Sequence, residues 1–342
     1  MTPKFSGLNL YGEKKKCSIA DNLFSVEFYC QQHQIPYKFI SKDYLIGGNH
    51  YIRKEKKNGP NQKYDNLICI QPFELIEADF SFLKNKTYVL WVWEYQSLPD
   101  IFMRLETHFD HIFTVSQFCL KIFEKHLQTS VSILPIQSPI LKYLPLIPKH
   151  EIESSSVSEI IQKTSETTVF GYCFDFNSSL VRKNPLNLVT SFNTVFLNSD
   201  KYSLILKFRR PKYKLKFELE AYNSFHNLIS NNKSIYPIDE ELSHLDLYKL
   251  YTHLDYYISP HSCEGFGLTI FDNLKLGNKI ISNFYSGEKD FLVPGEFIEL
   301  KHTLREFHEL QHSPTYKYLP DFMSSYISEE EIIKCFQKIK SN

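Results

Sequence analysis

The stretch HSCEGFGLTIFDNLKLGNKIISNFYSG, which starts at His261, sets Glu264 beside Gly265 and Gly267 and places a second acid, Asp272, eight residues after the first. Its pattern predicts a strand through YYISP, a loop from Ser259 to about Gly267, and a helix from about Leu268 to Leu276 closed by Gly277. The glycines let backbone N–H groups approach a ligand closely, and the positive end of the helix dipole points to the same corner. An anionic or hydroxyl-rich ligand suits such a corner. Glu264 in the loop and Asp272 about one turn inside the helix would face one crevice at different depths, and carboxylates accept hydrogen bonds from sugar and ribose hydroxyls. Taken alone, glycines at a strand-to-helix turn and acids near a helix start also have a purely structural explanation. His261 is a candidate for phosphate or sugar contact, with a structural loop histidine as the alternative.

Cations at two other predicted strand ends complement these acids. GYCFDFNSSLVRKNP, from Gly171, puts Arg182 and Lys183 just ahead of Pro185, a residue suited to a helix's first turn. LILKFRRPK adds Lys207, Arg209, Arg210 and Lys212. Such a pair of strand ends would make a pyrophosphate clamp, because a diphosphate leaving group needs its developing charge neutralised; solvated strand-end cations are the alternative. The Tyr236-Pro237-Ile238 strand end precedes another helix, and Asp239 and Glu240 after it read as helix N-terminal acids.

In the N-terminal half, GLNLYG leads through EKKKCSIADN into a helix, so Gly12 would let a strand-end loop approach a ligand. Lys14, Lys15 and Lys16 are a candidate contact for an anionic acceptor, or simply a solvated loop. LWVWEYQSLP places Trp91, Trp93 and Glu94 at the end of an apolar run stopped by Pro99. An aromatic face packs on sugar C–H groups while an acid orients hydroxyls; burial of the tryptophans in a core is the competing explanation.

The elements that must position these residues follow from the alternation of short apolar runs (NLICI, TYVLWVW, HIFTVS) with segments of helical period, which argues for parallel-sheet α/β layers. At 342 residues, 42% hydrophobic, the chain is long enough for two such domains. The segment 151–168, rich in Ser, Thr and charge, reads as a linker between an N-terminal domain over 1–150 and a C-terminal domain over 169–318. The last segment, 319–342, carries Ser328 and Glu331 as a capping box ahead of Ile332, Ile333, Phe336 and Ile339 on one stripe; this helix is expected to pack back on the N-terminal domain.

Composition removes several function classes. Thirty-nine basic residues balance thirty-nine acidic ones, so no global field favours nucleic acid. Seven scattered cysteines without a C-x-x-C pair read as buried thiols rather than a zinc site. The polar N-terminus reads as neither signal peptide nor spanning helix, so a cytoplasmic location is expected, with contact at the membrane surface left open. No complete G-x-G-x-x-G supports a dinucleotide oxidoreductase, and no D-x-D pair supports a metal clamp on a sugar nucleotide.

The segment from Glu264 resembles the signature of the retaining glycosyltransferases of family four: an acid, a Gly-aromatic-Gly turn, a second acid eight positions on, a small-residue helix end, an apolar strand and Ser-Gly. Here it runs through Glu264, Gly265, Phe266, Gly267, Asp272, Gly277, Ile280, Ile281, Ser286, Gly287 and Asp290. The sequence departs from the family at Asp272, where Glu is usual, and at Asn273-Leu274, where Ala-Met is usual. The D-x-x-S-x-x-x-R-K-N-P arrangement is similar to one bacterial branch. The resemblance covers most of the chain, most strongly from Gly171 to Asp290. It implies the GT-B fold, two facing Rossmann-like doubly wound parallel-sheet domains with a cleft between them, and a metal-independent hexosyl transfer with retention. It implies catalytic roles for Glu264, Arg182, Lys183 and Lys207, and donor contacts from Gly265, Phe266, Gly267, Leu268, Asp272, His261 and the Tyr236-Pro237-Ile238 strand end. Gly12, Trp93 and Glu94 would lie on the acceptor side. The expected partners are a GDP- or UDP-sugar as substrate, no separate cofactor, and a glycan or lipid-linked acceptor. An epimerase or phosphorylase on the same fold, or a non-catalytic carbohydrate-binding relative, are the alternatives.

Overall fold

The computed structural model describes residues 5–13, 18–46, 59–135, 137–144, 155–211, 216–306 and 323–341. Lys14, Lys15, Lys16 and Lys212 lie outside the described residues, as do residues 145–154, which include the start of the expected linker. The chain divides into two units with the change at Pro139 and Ile140.

The first unit is built on six strands: β1 (Leu8–Gly12), β2 (Tyr37–Ser41), β3 (Asp65–Ile68), β4 (Thr87–Leu90), β5 (His111–Thr114) and β6 (Val131–Ile133). They order β2-β1-β3-β4-β5-β6, and every pair is parallel. All five β1 residues are buried, as a parallel strand covered on both faces requires. The chain leaves β1 towards β2 on one side and returns to β3 on the other, so the sheet reverses direction of growth at Gly12 and Ile68. Between β5 and β6 runs the helix Gln117–His126, started by Ser116, whose Oγ accepts from Cys119 N at 3.1 Å.

The second unit repeats the plan with β7 (Thr168–Asp175), β8 (Tyr202–Arg209), β9 (Ile235–Ile238), β10 (Tyr256–Ser259), β11 (Lys279–Ser282) and β12 (Ile298–Glu299). Their order is β12-β11-β10-β7-β8-β9, again all parallel. Growth reverses between β7 and β10, and in open α/β sheets the crevice outside the carboxyl ends at that reversal is where ligands bind. An antiparallel pair, β13 (Thr303–Glu306) and β14 (Met323–Tyr326), follows.

Two segments differ from the sequence reading. Within the stretch expected as linker, Ser155–Thr164 is a helix. Its Val157 and Ile160 enter the second core, and Thr164 Oγ1 lies 2.7 Å from His253 Nε2. The polar composition there is the exposed side of an amphipathic helix rather than a flexible connection. The C-terminal helix, Glu329–Ser341, packs on the helix Pro185–Phe196 of its own unit. Phe336 sits 5.2 Å from the Phe170 ring, 5.7 Å from Phe192 and 5.3 Å from Phe196, and Lys340 Nζ donates to Val195 O at 2.8 Å. Ser328 Oγ accepts from Glu331 N at 3.2 Å, half of the expected capping box, whereas the Glu331 carboxylate accepts from Lys301 N at 2.9 Å.

Candidate functional site

The R-K-N-P run makes a bend between two helices. Ser179 caps the short helix Leu180–Lys183 by accepting from Arg182 N at 3.2 Å. Asn184 then adopts φ 53°, a left-handed conformation that Asn tolerates better than most residues, and Pro185 opens the helix Pro185–Phe196. This bend aims Arg182 and Lys183 at the loop after β10. Ser262 N donates to Arg182 O at 2.7 Å, and Arg182 Nη1 donates to Cys263 O at 2.9 Å. The same Nη1 lies 3.1 Å from Glu264 Oε2, and Lys183 Nζ pairs with the other oxygen, Glu264 Oε1.

Glu264 is therefore a carboxylate gripped on both oxygens by two cations, one of which, Arg182, is only 2% exposed. Burial works against its charge, but Lys183 and Arg182, with His261 behind them, outweigh burial and pull its pKa down to about 2. It stays ionised across the physiological range, which suits it to accept hydrogen bonds from hydroxyls and not to donate a proton as a general acid.

The backbone that carries Glu264 is clamped by the segment after β11. Glu264 N donates to Ser286 Oγ at 2.8 Å, and Gly287 N donates to Glu264 O at 3.0 Å. The approach is so close that a Cβ on Gly287 would meet Gly265 O at 2.3 Å and Phe266 Cα at 2.7 Å. The Ser-Gly of the signature is thus a packing requirement of the Glu264 loop. Gly267, at φ 85°, caps the helix Leu268–Lys275, which begins with half-buried Leu268; Gly277, at φ 87°, follows its end, as expected of a C-terminal glycine. Phe266 packs its ring 5.4 Å from Phe271 and 5.2 Å from Phe291. Asp272 is 2% exposed on the inner side of its helix, near enough to Tyr251 to add to the burial that raises that phenol's pKa.

Lys207, on β8, is in register with Cys173 of β7 and Ile238 of β9, and its Nζ donates to Phe208 O at 3.1 Å. Burial raises the pKa of the Cys173 thiol, while the charges of Lys207 and Lys183 draw it back. Arg209 and Arg210 are paired with Asp175 at 3.3 Å and Asp239 at 2.5 Å. Asp239 is thus not a helix N-terminal acid: the helix it precedes begins only at His244, with Ser243 as its cap, and the carboxylate is drawn to Arg210 and to Tyr222 Oη at 3.4 Å. Of the Tyr236-Pro237-Ile238 strand end, Tyr236 is half-buried and Pro237 exposed, whereas Ile238 points into the core and can offer a ligand only its backbone.

His261 also corrects its expected role. It is fully buried, with Nδ1 2.9 Å from Ser259 Oγ and Nε2 3.3 Å from Glu288 Oε2, so its ring nitrogens are engaged inside the protein rather than with a donor. Glu288, equally buried, went unnoticed in the sequence. The available signal was an acid directly after the Ser-Gly that ends the signature. Asn283 and Ser325 were missed as well: Asn283 Nδ2 donates to His261 O at 2.7 Å and Ser325 Oγ at 2.9 Å, and Ser325 Oγ donates to Ser262 O.

In the first unit, Gly12 ends β1 with Leu23 Cδ2 only 3.0 Å from where a Cβ would stand. Trp93 is 3% exposed, packed against Tyr95 and Phe102 at 5.6 and 5.2 Å, and donates Nε1 to Ser97 O at 2.7 Å. It is a core residue and not an open platform, and so is Trp91. Glu94 beside it is half-buried. Among the described residues no three His, Cys, Asp or Glu side chains gather as a metal site, and no helix is long and apolar enough to cross a membrane.

No protein-family model and no curated protein matches this sequence. Solved structures do resemble the fold. Anabaena Alr3699/HepE in complex with UDP-glucose superposes with a TM-score of 0.57 at 12% identity, covering 84% of this chain and 83% of that one. An α,α-trehalose-phosphate synthase (UDP-forming) from Burkholderia xenovorans in complex with glucose-6-phosphate gives 0.60 at 10% identity, covering 85% and 88%. The E. coli trehalose-6-phosphate structure bound with UDP-2-fluoro glucose gives 0.59 at 8% identity, covering 86% and 88%. With two parallel six-stranded sheets, each reversing its direction of growth once, the chain has the GT-B fold of two Rossmann-like domains.

Proposed function

We propose that this protein is a retaining glycosyltransferase that moves a hexose from a nucleoside-diphosphate sugar to an acceptor hydroxyl on a glycan or lipid-linked molecule. The observation that carries the reading is the Glu264 carboxylate held between Arg182 and Lys183 at the β7–β10 reversal, with the Gly265–Gly267 turn and a helix start beside it. That arrangement joins an acceptor of sugar hydroxyl hydrogen bonds to a cationic neighbourhood suited to phosphate. The UDP-glucose and UDP-2-fluoro glucose in the similarly folded structures accord with it.

In this reading Arg182, Lys183 and Lys207 neutralise the diphosphate as the bond from the anomeric carbon to the leaving oxygen breaks. The acceptor oxygen bonds to that carbon on the face being vacated, and its proton passes to the departing phosphate. Glu264 orients the hexose by its hydroxyls, and Tyr236 and Pro237 border the base. Glu94 and the Gly12 loop are assigned to the acceptor. The enzyme then acts mainly by positioning and by charge stabilisation, with no metal and no separate cofactor. A cytoplasmic location, where sugar nucleotides are the donor pool, belongs to the same proposal. The test is a screen of GDP- and UDP-sugars for consumption with and without an acceptor mixture. Transfer that requires the acceptor supports the reading. Epimerisation, phosphorolysis or no consumption of any donor counts against it.

A further inference from the structure

Glu288 is an unusual group to find where it is. Its carboxylate is fully buried in the short turn Gly287–Asp290, and four hydrogen bonds converge on it. Oε1 accepts from Tyr285 N at 2.6 Å and Ser286 N at 2.7 Å, while Oε2 accepts from Ser286 Oγ at 2.7 Å and lies 3.3 Å from His261 Nε2. Burying a carboxylate is costly unless such partners compensate. Burial does oppose its charge, but His261 and the Ser286 bonds prevail and keep its pKa below the usual range.

Three of the four bonds shape the loop after β11 around Glu288, and the fourth, to His261, ties it to the loop after β10. The His261 side comes from the loop after β10, and the Tyr285–Ser286 side from the loop after β11. Ser286 Oγ, oriented by donating to Glu288, is the same oxygen that accepts from Glu264 N, and the adjoining Gly287 N donates to Glu264 O. Both backbone polar groups of Glu264 are thereby set by a turn whose conformation Glu288 dictates.

We propose that Glu288, linked to His261, is a positioning residue for Glu264: it touches no substrate and sets where the Glu264 carboxylate is presented. The inference rests on the proposed sugar-transfer role of Glu264, and its consequence is a division of effects. Loss of Glu288 displaces the group that orients the hexose, whereas Lys183, Lys207 and the Tyr236–Pro237 edge are carried by the helix after β7, by β8 and by β9. Turnover therefore falls while nucleoside-diphosphate affinity holds. Glutamine is the conservative replacement. Its Oε1 keeps both amide bonds, and its NH2 can donate to Ser286 Oγ and to an unprotonated His261 Nε2.

The experiment compares the full-length wild type with Glu288→Ala and Glu288→Gln by steady-state kinetics, UDP and GDP titration, and hydrogen exchange of peptides covering 261–267 and 285–288. Glu288→Ala is expected to lower kcat at least tenfold with the nucleotide Kd changed less than threefold, and to speed exchange at the Glu264 and Gly287 amides. Glu288→Gln is expected to restore most of kcat and the slow exchange. If Glu288→Ala keeps kcat within twofold and exchange unchanged, or if kcat and nucleotide affinity fall together and Gln rescues neither, the positioning role is overturned. If the wild type transfers no sugar, the transferase reading fails, while exchange alone still decides whether Glu288 holds the Glu264 backbone.

Discussion

Replacing Gly287 with alanine adds one methyl group where the structure leaves no room. The new Cβ would stand 2.3 Å from Gly265 O, 2.5 Å from Gly265 C and 2.7 Å from Phe266 Cα. Carbon atoms in contact are comfortable at about 3.5–4.0 Å, so one backbone segment must retreat by roughly 1 Å. These are main-chain atoms that no rotamer change can move aside. The displaced segment begins at Glu264, whose carboxylate must stay within reach of Arg182 Nη1, now 3.1 Å away. Overpacking of this kind costs about 1–3 kcal/mol, which for a domain of about 200 residues lowers Tm by roughly 2–10 °C. A misplacement of about 1 Å at a reacting centre costs on the order of 100-fold in rate. Thermal unfolding and kcat at saturating donor measure the two effects separately. Gly171→Ala is the control: the nearest atoms to its Cβ all belong to the Leu254 side chain, Cδ1 at 2.3 Å, Cδ2 at 2.8 Å and Cγ at 3.1 Å, which can swing. It should lower Tm with little change in kcat. If Gly287→Ala melts with the wild type and keeps kcat within threefold, the clamp on Glu264 is wrong.

Acid should weaken the fold partly through Glu264. Its folded pKa, about 2, lies below the ordinary glutamate value of 4.5, so its contribution is present above about pH 4.5 and is lost as pH falls towards about 2. Between about pH 6 and pH 3 the wild type should lose roughly 2 kcal/mol more stability than Glu264→Gln, measured by urea unfolding; equal losses would refute the depressed pKa. At neutral pH, Glu264→Gln leaves buried Arg182 without its carboxylate and should itself lower stability, by about 1–3 kcal/mol, as well as abolishing transfer. Phe336→Ala should cost about 3–5 kcal/mol by emptying the contact with Phe170, Phe192 and Phe196, and a loss under about 1 kcal/mol would show that the C-terminal helix does not belong to this core.

How legible all this was depends on how local each feature is. The strand-loop-helix around Glu264, both capping glycines and the placement of Arg182 and Lys183 ahead of Pro185 were readable, because each is fixed by near neighbours in sequence. Glu288 was not: its role rests on bonds to His261, 27 residues away, and an acid next to a glycine has no distinguishing pattern. The same holds for Ser325, which reaches Ser262 across 63 residues. His261 and Trp93 misled for a different reason. A histidine or a tryptophan at a strand end can face a ligand or the core, and only the neighbours, Ser259 and Glu288 for one and Tyr95 and Phe102 for the other, decide which. The helix Ser155–Thr164 was hidden because its serine-rich surface outweighed the two apolar residues, Val157 and Ile160, that anchor it.

On the proposed function, Lys183, beside Glu264, serves a nucleoside diphosphate. Calorimetric titration of UDP and GDP into the wild type and into Lys183→Ala tests it directly, since Lys183 is partly exposed and its loss leaves Arg182 to hold the carboxylate. One of the two nucleotides should bind the wild type, and the variant should bind it roughly 10- to 100-fold more weakly, the worth of a charge-assisted hydrogen bond of about 1.5–3 kcal/mol. Binding of neither nucleotide by the wild type, or equal affinity in the variant, would contradict the account.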